Sequence, residues 1–334
     1  MANDDHAIVV GVSYYPALGD LDGPENDARD FASWLESRTG GQVPEEQVVT
    51  ILSSCYRRPA RPNRAEPTTE ALRNAIDDLV ELGDTTGRIG RRLYLFLAGH
   101  GFAPDLEETA LLMANAARGR TGHHVPGRRY ADWFRKSPYF DEVVLFMDCC
   151  RENYPRRPLQ AVHLDDIAGT QPARFFYGLA TEFSRAARER PDQRGVVHGV
   201  FTRALLNGLA TPPAGGQAIT GSWLERFVYN ELTTALPDQE RQEPKFSYDR
   251  MNEIVFAGAN PVYQAPFRIR ITAGAAGPDP ELQDGSFTQV ASVSRAGRIW
   301  EWALGPGLYR YGPRGGPYRT LELVGEGRVV DVDI

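Results

Sequence analysis

Val143-Val144-Leu145-Phe146-Met147-Asp148-Cys149-Cys150-Arg151 decides the reading of this chain. Five apolar residues, two of them β-branched, form the continuous hydrophobic run of a strand buried on both faces, as in a parallel sheet. The run then breaks into an acid and two thiols. Ligands and reacting groups of open α/β sheets gather at the carboxyl ends of such strands. Upstream, Leu93-Tyr94-Leu95-Phe96-Leu97 breaks in the same way into Ala98-Gly99-His100-Gly101. A thiol and an imidazole are thus expected on strand ends, the pair that nucleophilic cysteine catalysis needs.

The remaining periodicities surround these two strands with an α/β pattern. His6 to Val12 and Gln47 to Ser53 read as strands, and Pro24 to Ser37 as an amphipathic helix with Ala28, Phe31, Ala32 and Leu35 on one face. Thr68 opens a second helix with Leu72, Ile76, Leu79 and Val80 inward. A short strand pair is expected around Ala110 to Asn115 and a helix near Tyr130 to Arg135. Further on come a strand at Arg174 to Ala180, helices at Val200 to Leu209 and Ser222 to Leu236, and a sixth strand at Glu253 to Phe256. Ser222 with Glu225 has the form of a capping box. Strands alternating with helices predict a mostly parallel six-stranded sheet covered on both faces.

Composition shifts near Gly258 to Pro261, giving domains at 1–258 and 262–334. Beyond Phe267 there are only short alternating segments, FRIRIT, FTQVASVS, RIWEWAL, GLYRYG, RTLELV and RVVDVDI. They predict a small antiparallel β-domain. Its stretch Gly305 to Arg310 and the strands after it resemble the end of a transthyretin-like or PEGA-like sandwich.

The 334 residues are 42% hydrophobic and 24% charged, with a net charge of −7, which is ordinary for a soluble globular chain. The acidity argues against nucleic acid as a partner, and no apolar run reaches membrane-spanning length. MANDDHAIVV lacks the basic start of a secretory signal, so a cytoplasmic location is expected. Three cysteines, Cys55, Cys149 and Cys150, suit free thiols better than a disulfide framework. Each chemical residue also has a plainer reading. His100 alone would be a loop residue and Cys150 a buried thiol. Asp27 could serve only the positive end of its helix, and His123-His124 lack zinc-site spacing and suit a solvated loop. Strand alternation turns Cys149 and Cys150 to opposite faces, so one of them can meet His100, and alternation alone does not say which.

Five stretches together resemble the caspase, metacaspase and paracaspase clan over roughly residues 1–258: HAIVVGVSYY, LDGPENDARDF, LFLAGHG, LFMDCCR and HGVFTRALLNGL. Cys150 follows His100 by fifty residues, similar to the interval of about fifty between histidine and cysteine in caspases. The resemblance implies a caspase-like three-layer sandwich, with Cys150 as nucleophile, His100 as base, and the N–H groups of Gly101 and Cys150 as oxyanion donors. It implies that Asp27 and Asp148 floor a pocket for Arg or Lys, with Glu182 and Ser184 at its rim. The strand around Tyr177 to Thr181 would hold the substrate backbone.

The expected partners are a protein or peptide substrate and an activating small ligand or partner protein, in defence or cell death. No cofactor is expected. Neither Asp141-Glu142 nor Asp165-Asp166 matches the metacaspase calcium aspartates, so calcium dependence stays open. Arg151-Glu152 stands where metacaspases have His-Ser-Gly. Arg156-Arg157 and Arg188-Glu189-Arg190 are candidate self-cleavage points. The rival expectation is an inactive caspase-like scaffold that binds peptides without cutting them.

Overall fold

In a computed structural model the structure describes residues 4–59, 61–119, 122–153, 159–167, 172–211, 213, 218–234, 241–257, 267–275, 277–283, 289–290, 292, 294–304, 307–323 and 329–334. The chain divides into two compact units, Met1–Gly258 and Ala259–Ile334.

The first unit is built on six strands: β1 (His6–Gly11), β2 (Val48–Leu52), β3 (Gly90–Gly99), β4 (Phe140–Cys149), β5 (Arg174–Leu179) and β6 (Lys245–Tyr248), in the spatial order β6-β5-β4-β3-β1-β2. All neighbours are parallel except β5 and β6. Around the sheet lie α1 (Pro24–Glu36), α2 (Thr69–Thr86), α3 (Gly127–Lys136), α4 (Val200–Ala210) and α5 (Gly221–Thr233).

Strand alternation sorts the two faces. Val143, Leu145, Met147 and Cys149 of β4 enter a core with Leu72, Ile76 and Leu79 of α2 and Phe134 of α3. Val144 and Phe146 enter the opposite core, with Phe31 and Leu35 of α1, Phe201 and Leu205 of α4, and Leu224 and Val228 of α5. Two helical layers thus enclose one sheet. Burying a side chain such as Phe31, which is 0% exposed, contributes about 1.5–3 kcal/mol.

The sixth strand is not where the sequence suggested. Residues Lys245–Tyr248 take the sheet edge antiparallel to β5, while Val255–Ala257 pairs with Ile219–Thr220 in a separate two-stranded sheet. An edge strand needs one apolar face, and Phe246 and Tyr248 supply it, with ring centroids 5.6 and 5.2 Å from Phe176. The continuous Ile254-Val255-Phe256 run is the stronger hydrophobic signal but the wrong one. The start of α5 differs too. Thr220 caps it, accepting from the Trp223 amide at 3.3 Å. Ser222 and Glu225 lie inside the helix, held by Glu253 and Tyr248.

The second unit has a four-stranded sheet, in the order Ser294–Ala296, Ile299–Leu304, Phe267–Thr272, Val329–Asp333, and a three-stranded sheet of Pro280–Gln283, Gly307–Pro313 and Arg319–Leu323. Its core holds Ile269, Ile271, Leu282, Trp300, Trp302 and Leu323. One pair departs from the expected antiparallel pattern: Phe267–Thr272 runs parallel to Val329–Asp333. FTQVASVS is described only at residues 289, 290, 292 and 294, so most of the strand expected there lies outside the described residues, as does the boundary at 258–266.

Candidate active site

Register builds the site. Leu97, Ala98 and Gly99 of β3 stand opposite Met147, Asp148 and Cys149 of β4, so His100 and Cys150 leave the sheet side by side. Both line one cavity of about 80 Å³, together with Leu21, Pro24, Asp27, Gly99, Asp148, Ala187, Arg188, Glu189 and Gly199. Cys149 continues the alternation of Met147 into the α2/α3 core and is buried. Burial pushes its thiol far above the ordinary range. Cys150 is half-buried, with Sγ 3.9 Å from the Ala187 carbonyl oxygen.

His100 is oriented from two sides. Its Nε2 lies 2.9 Å from the carbonyl oxygen of Gly19. A carbonyl only accepts, so Nε2 carries the proton and the lone pair is on Nδ1. The backbone N–H of His100 donates to the Tyr15 hydroxyl at 3.1 Å, and that hydroxyl donates to the Leu112 carbonyl at 2.7 Å. The Tyr15 ring meets the imidazole edge-on, with centroids 4.7 Å apart. Gly101 packs directly on the thiol strand. A Cβ there would stand 2.6 Å from both Cys149 Sγ and the Cys150 carbonyl oxygen, so only glycine permits that approach.

The cavity is lined by buried acids. Asp27 lies on the inward face of α1 and is 2% exposed; Asp148 is 6% exposed. Asp27 accepts from the Gly199 amide at 2.8 and 3.0 Å, and the His198 ring lies 3.5 Å away. Asp148 Oδ2 accepts from the Thr202 amide at 3.0 Å and the Thr202 hydroxyl at 2.7 Å. Burial, and then the Asp27 carboxylate, push the Asp148 pKa up to about 8. Burial also raises Asp27 against the lowering effect of His198 and Gly199, and it raises Glu189. The His198 pKa is raised in turn, chiefly by its hydrogen bond to Asp27.

Glu182 and Ser184 are not in this cavity. They line a neighbouring one of about 600 Å³ with Arg185, Arg241 and Gln242, and Arg188 borders both. Nor is the strand at Tyr177 to Thr181 open to a peptide. Tyr177, Gly178 and Leu179 are paired with β4 on one side and β6 on the other. The chain leaves the sheet after Leu179, and its next segment, 184–188, reaches the thiol.

Arg151 shapes that segment. It is fully buried and donates to Thr109 Oγ1 at 2.9 Å, the Leu106 carbonyl at 2.6 Å and the Thr181 carbonyl at 3.4 Å. Its amide donates to the Arg185 carbonyl and its carbonyl accepts from the Ser184 amide, both at 2.9 Å. Of the self-cleavage points, Arg156-Arg157 lies outside the described residues. At Arg188-Glu189 the main chain is fixed, the Arg188 carbonyl accepting from Val200 and Glu189 pairing with Gly199.

The acidic pair Asp141-Glu142 is otherwise engaged. Asp141 meets Arg88, while Glu142 meets Arg92 and Arg174. Among the described residues no group of three His, Cys, Asp or Glu is placed to hold a metal ion. His124, expected on a solvated loop, is buried, its Nε2 accepting from the Gln160 amide at 2.9 Å. Among the described residues no helix is long and apolar enough to cross a membrane.

Sequence reasoning passed over Tyr15, His198, Gly199, Thr202, Glu189 and Gln242. His198, Gly199 and Thr202 lie within HGVFTRALLNGL and Tyr15 ends HAIVVGVSYY, stretches valued for a helix start, a strand and the clan resemblance but not for these residues. Glu189 and Gln242 carry no local signal.

A mostly parallel sheet between two helical layers, with His100 and Cys150 on adjacent strand ends, defines the chain as caspase-like in fold. Residues 4–253 match the profile of the caspase domain, peptidase family C14, and the chain belongs to that family. It is 26% identical over 225 residues to a probable protease from a Desulfuromonadales bacterium. That match spans 61% of this chain and only 25% of the relative's length. Among solved structures it is similar to caspase-1 from Spodoptera frugiperda, with TM-score 0.47 and 16% identity, covering 74% of this chain and 86% of that one. A Geobacter sulfurreducens protein gives TM-score 0.47 and 16% identity, covering 77% and 97%.

Proposed function

We propose that the protein is a cysteine endopeptidase that cuts after arginine or lysine. The observation that carries this reading is that Cys150, His100, Asp27 and Asp148 line one cavity. His100 Nδ1 takes the proton of the Cys150 thiol, and the sulfur attacks the scissile carbonyl carbon. The N–H groups of Gly101 and Cys150 receive the oxyanion. The same imidazole gives its proton to the departing amine, leaving a thioester. Water, deprotonated by His100, then attacks the thioester, releasing the acid and the free thiol.

Specificity follows from charge. A guanidinium can meet Asp27 and Asp148 through paired hydrogen bonds, with Glu189 adding a third carboxylate at the wall. An aspartate in the same place would meet the carboxyl groups of Asp27, Asp148 and Glu189. The peptide backbone runs along Ala186-Ala187, beside the thiol, in place of Tyr177 to Thr181. A conditional role in defence or cell death, switched on through the carboxyl-terminal unit, belongs to the same proposal; it is supported by the clan resemblance and by that unit's separate packing.

The test is cleavage of peptides that differ only in the residue before the scissile bond, by the wild-type chain and Cys150→Ala, with and without calcium. Cutting after Arg and Lys that vanishes in Cys150→Ala is expected. Faster cutting after Asp, or activity that survives in the variant, overturns the reading.

A further inference from the structure

The segment that follows β5 is held at two points. At its start, Ser184 and Arg185 are hydrogen-bonded to both backbone groups of Arg151, the residue after the thiol. At its end, the Arg188 amide donates at 2.9 Å to Oε1 of Gln242. Gln242 is 3% exposed and lies far along the chain, beyond α5. Its Nε2 donates at 2.7 Å to the Ala180 carbonyl, and its own amide donates at 3.2 Å to the Leu232 carbonyl at the end of α5. One buried residue therefore joins three segments: its side-chain amide ties the close of β5 to the segment facing the thiol, and its main-chain amide ties both to the last turn of α5.

Between the two clamps lie Ala186 and Ala187. Among the described residues their main chain has one partner, the Cys150 thiol at the Ala187 carbonyl. Everything around them is fixed and they are left open, which is the arrangement an added peptide strand requires. Held this way, the wall needs little further ordering when a substrate arrives.

We propose that Gln242 is a positioning residue: its carboxamide sets the register of Ala186-Ala187 against Cys150 and so fixes where the substrate backbone lies. Both ends of the amide are used. An acceptor alone would hold Arg188 but not Ala180, and an aliphatic side chain would hold neither while stranding the buried Ala180 carbonyl. The inference rests on the peptidase reading and goes beyond it, since Gln242 touches neither the thiol nor the imidazole.

Two reagents separate the possibilities in the full-length chain. Iodoacetamide modifies Cys150 without using the wall, whereas an arginyl chloromethyl ketone must bind along it. For Gln242→Ala the expected result is a fall of about tenfold or more in the rate with the arginyl reagent, at a nearly unchanged iodoacetamide rate. Gln242→Glu keeps the acceptor for Arg188 and should fall between that variant and wild type. Equal arginyl rates in wild type and Gln242→Ala would overturn the proposal, as would equal proportional losses with both reagents in both variants. A wild-type chain that reacts with iodoacetamide but not with the arginyl reagent would instead overturn the specificity reading.

Discussion

Asp27 and Asp148 converge on Gly199: its amide donates to Asp27, and the place a Cβ would occupy falls against Asp148 Oδ2. Three distant segments, the first turn of α1, the end of β4 and the approach to α4, meet in that contact. Glycine is required by space, since any side chain would push into both carboxylates. Gly199→Ala is expected to lower stability by about 1–3 kcal/mol, the usual cost of overpacking, and to abolish binding of a small guanidinium such as agmatine. Thermal melting and calorimetry read both. A variant that melts like wild type and binds agmatine equally would count against the pocket assignment.

Protonation of the paired acids gives a second expectation. Burial and the neighbouring carboxylate raise Asp148, so between its unfolded value and about 8 the folded chain holds a proton that the unfolded chain has lost. Stability from this group is therefore full below the unfolded pKa and is lost as pH rises toward 8, by up to about 1.4 kcal/mol per pH unit. A cation reverses the preference, because it binds the ionised pair. Agmatine affinity should rise from pH 6 to pH 8 with release of protons, and Asp148→Asn should flatten that rise. Affinity that falls with pH would refute the assignment.

How much of this could be read from the sequence depends on whether the determinant is local. The runs ending at His100 and Cys150 are continuous and apolar, so β3 and β4 and the residues after them are legible. Register then does the rest, because Gly99 pairs with Cys149. Asp27 is reached only through the clan resemblance of LDGPENDARDF; the helix pattern names Ala28, Phe31, Ala32 and Leu35, and the burial of Asp27 beside them is a finding of the structure. The pocket rim was not legible. Glu182 and Ser184 follow β5 closely, but the chain turns through a positive φ of 65° at Ser184 and carries them into the adjacent cavity. Gln242 acts through partners 54 and 62 residues away, which no periodicity reports. The expected substrate strand failed for a related reason. A strand pattern does not reveal whether its edge is free, and β6 occupies the edge of β5.

The two adjacent thiols should behave differently. Cys149 sits in the α2/α3 core with its thiol pushed far up by burial, while Cys150 lines the cavity with His100. Cys149→Ala should cost about 1 kcal/mol through the small cavity it leaves and keep labelling by the arginyl chloromethyl ketone. Cys150→Ala should melt near wild type and take no label there. Peptide mass mapping of the labelled chain decides the matter, and a label on Cys149 would reverse the assignment of the nucleophile.

Arg151 supplies the last prediction. Its guanidinium is buried one residue past the thiol, and the acceptors around it are a hydroxyl and carbonyls; among the described residues it forms no ion pair. A charge in such a place is costly unless its N–H groups are all used, so its worth lies in geometry: the planar fork ties the 106–109 loop to Thr181 while its backbone holds Ser184 and Arg185. Arg151→Met keeps much of the volume and removes the fork. It strands the buried Thr109 hydroxyl, at about 1–3 kcal/mol, and removes one of the two donors to the Leu106 carbonyl, the other being Lys245 at 3.0 Å, so urea unfolding should show a loss of about 1–3 kcal/mol. Arg151→Lys keeps the charge but donates from a single point, and should recover only part of the stability. The same variants should cut peptides more slowly, since the fork no longer anchors the backbone of residue 151, whose N–H and carbonyl hold Ser184 and Arg185 beside Cys150. Stability of Arg151→Met within about 0.5 kcal/mol of wild type would mean that the loops are held by something other than this fork.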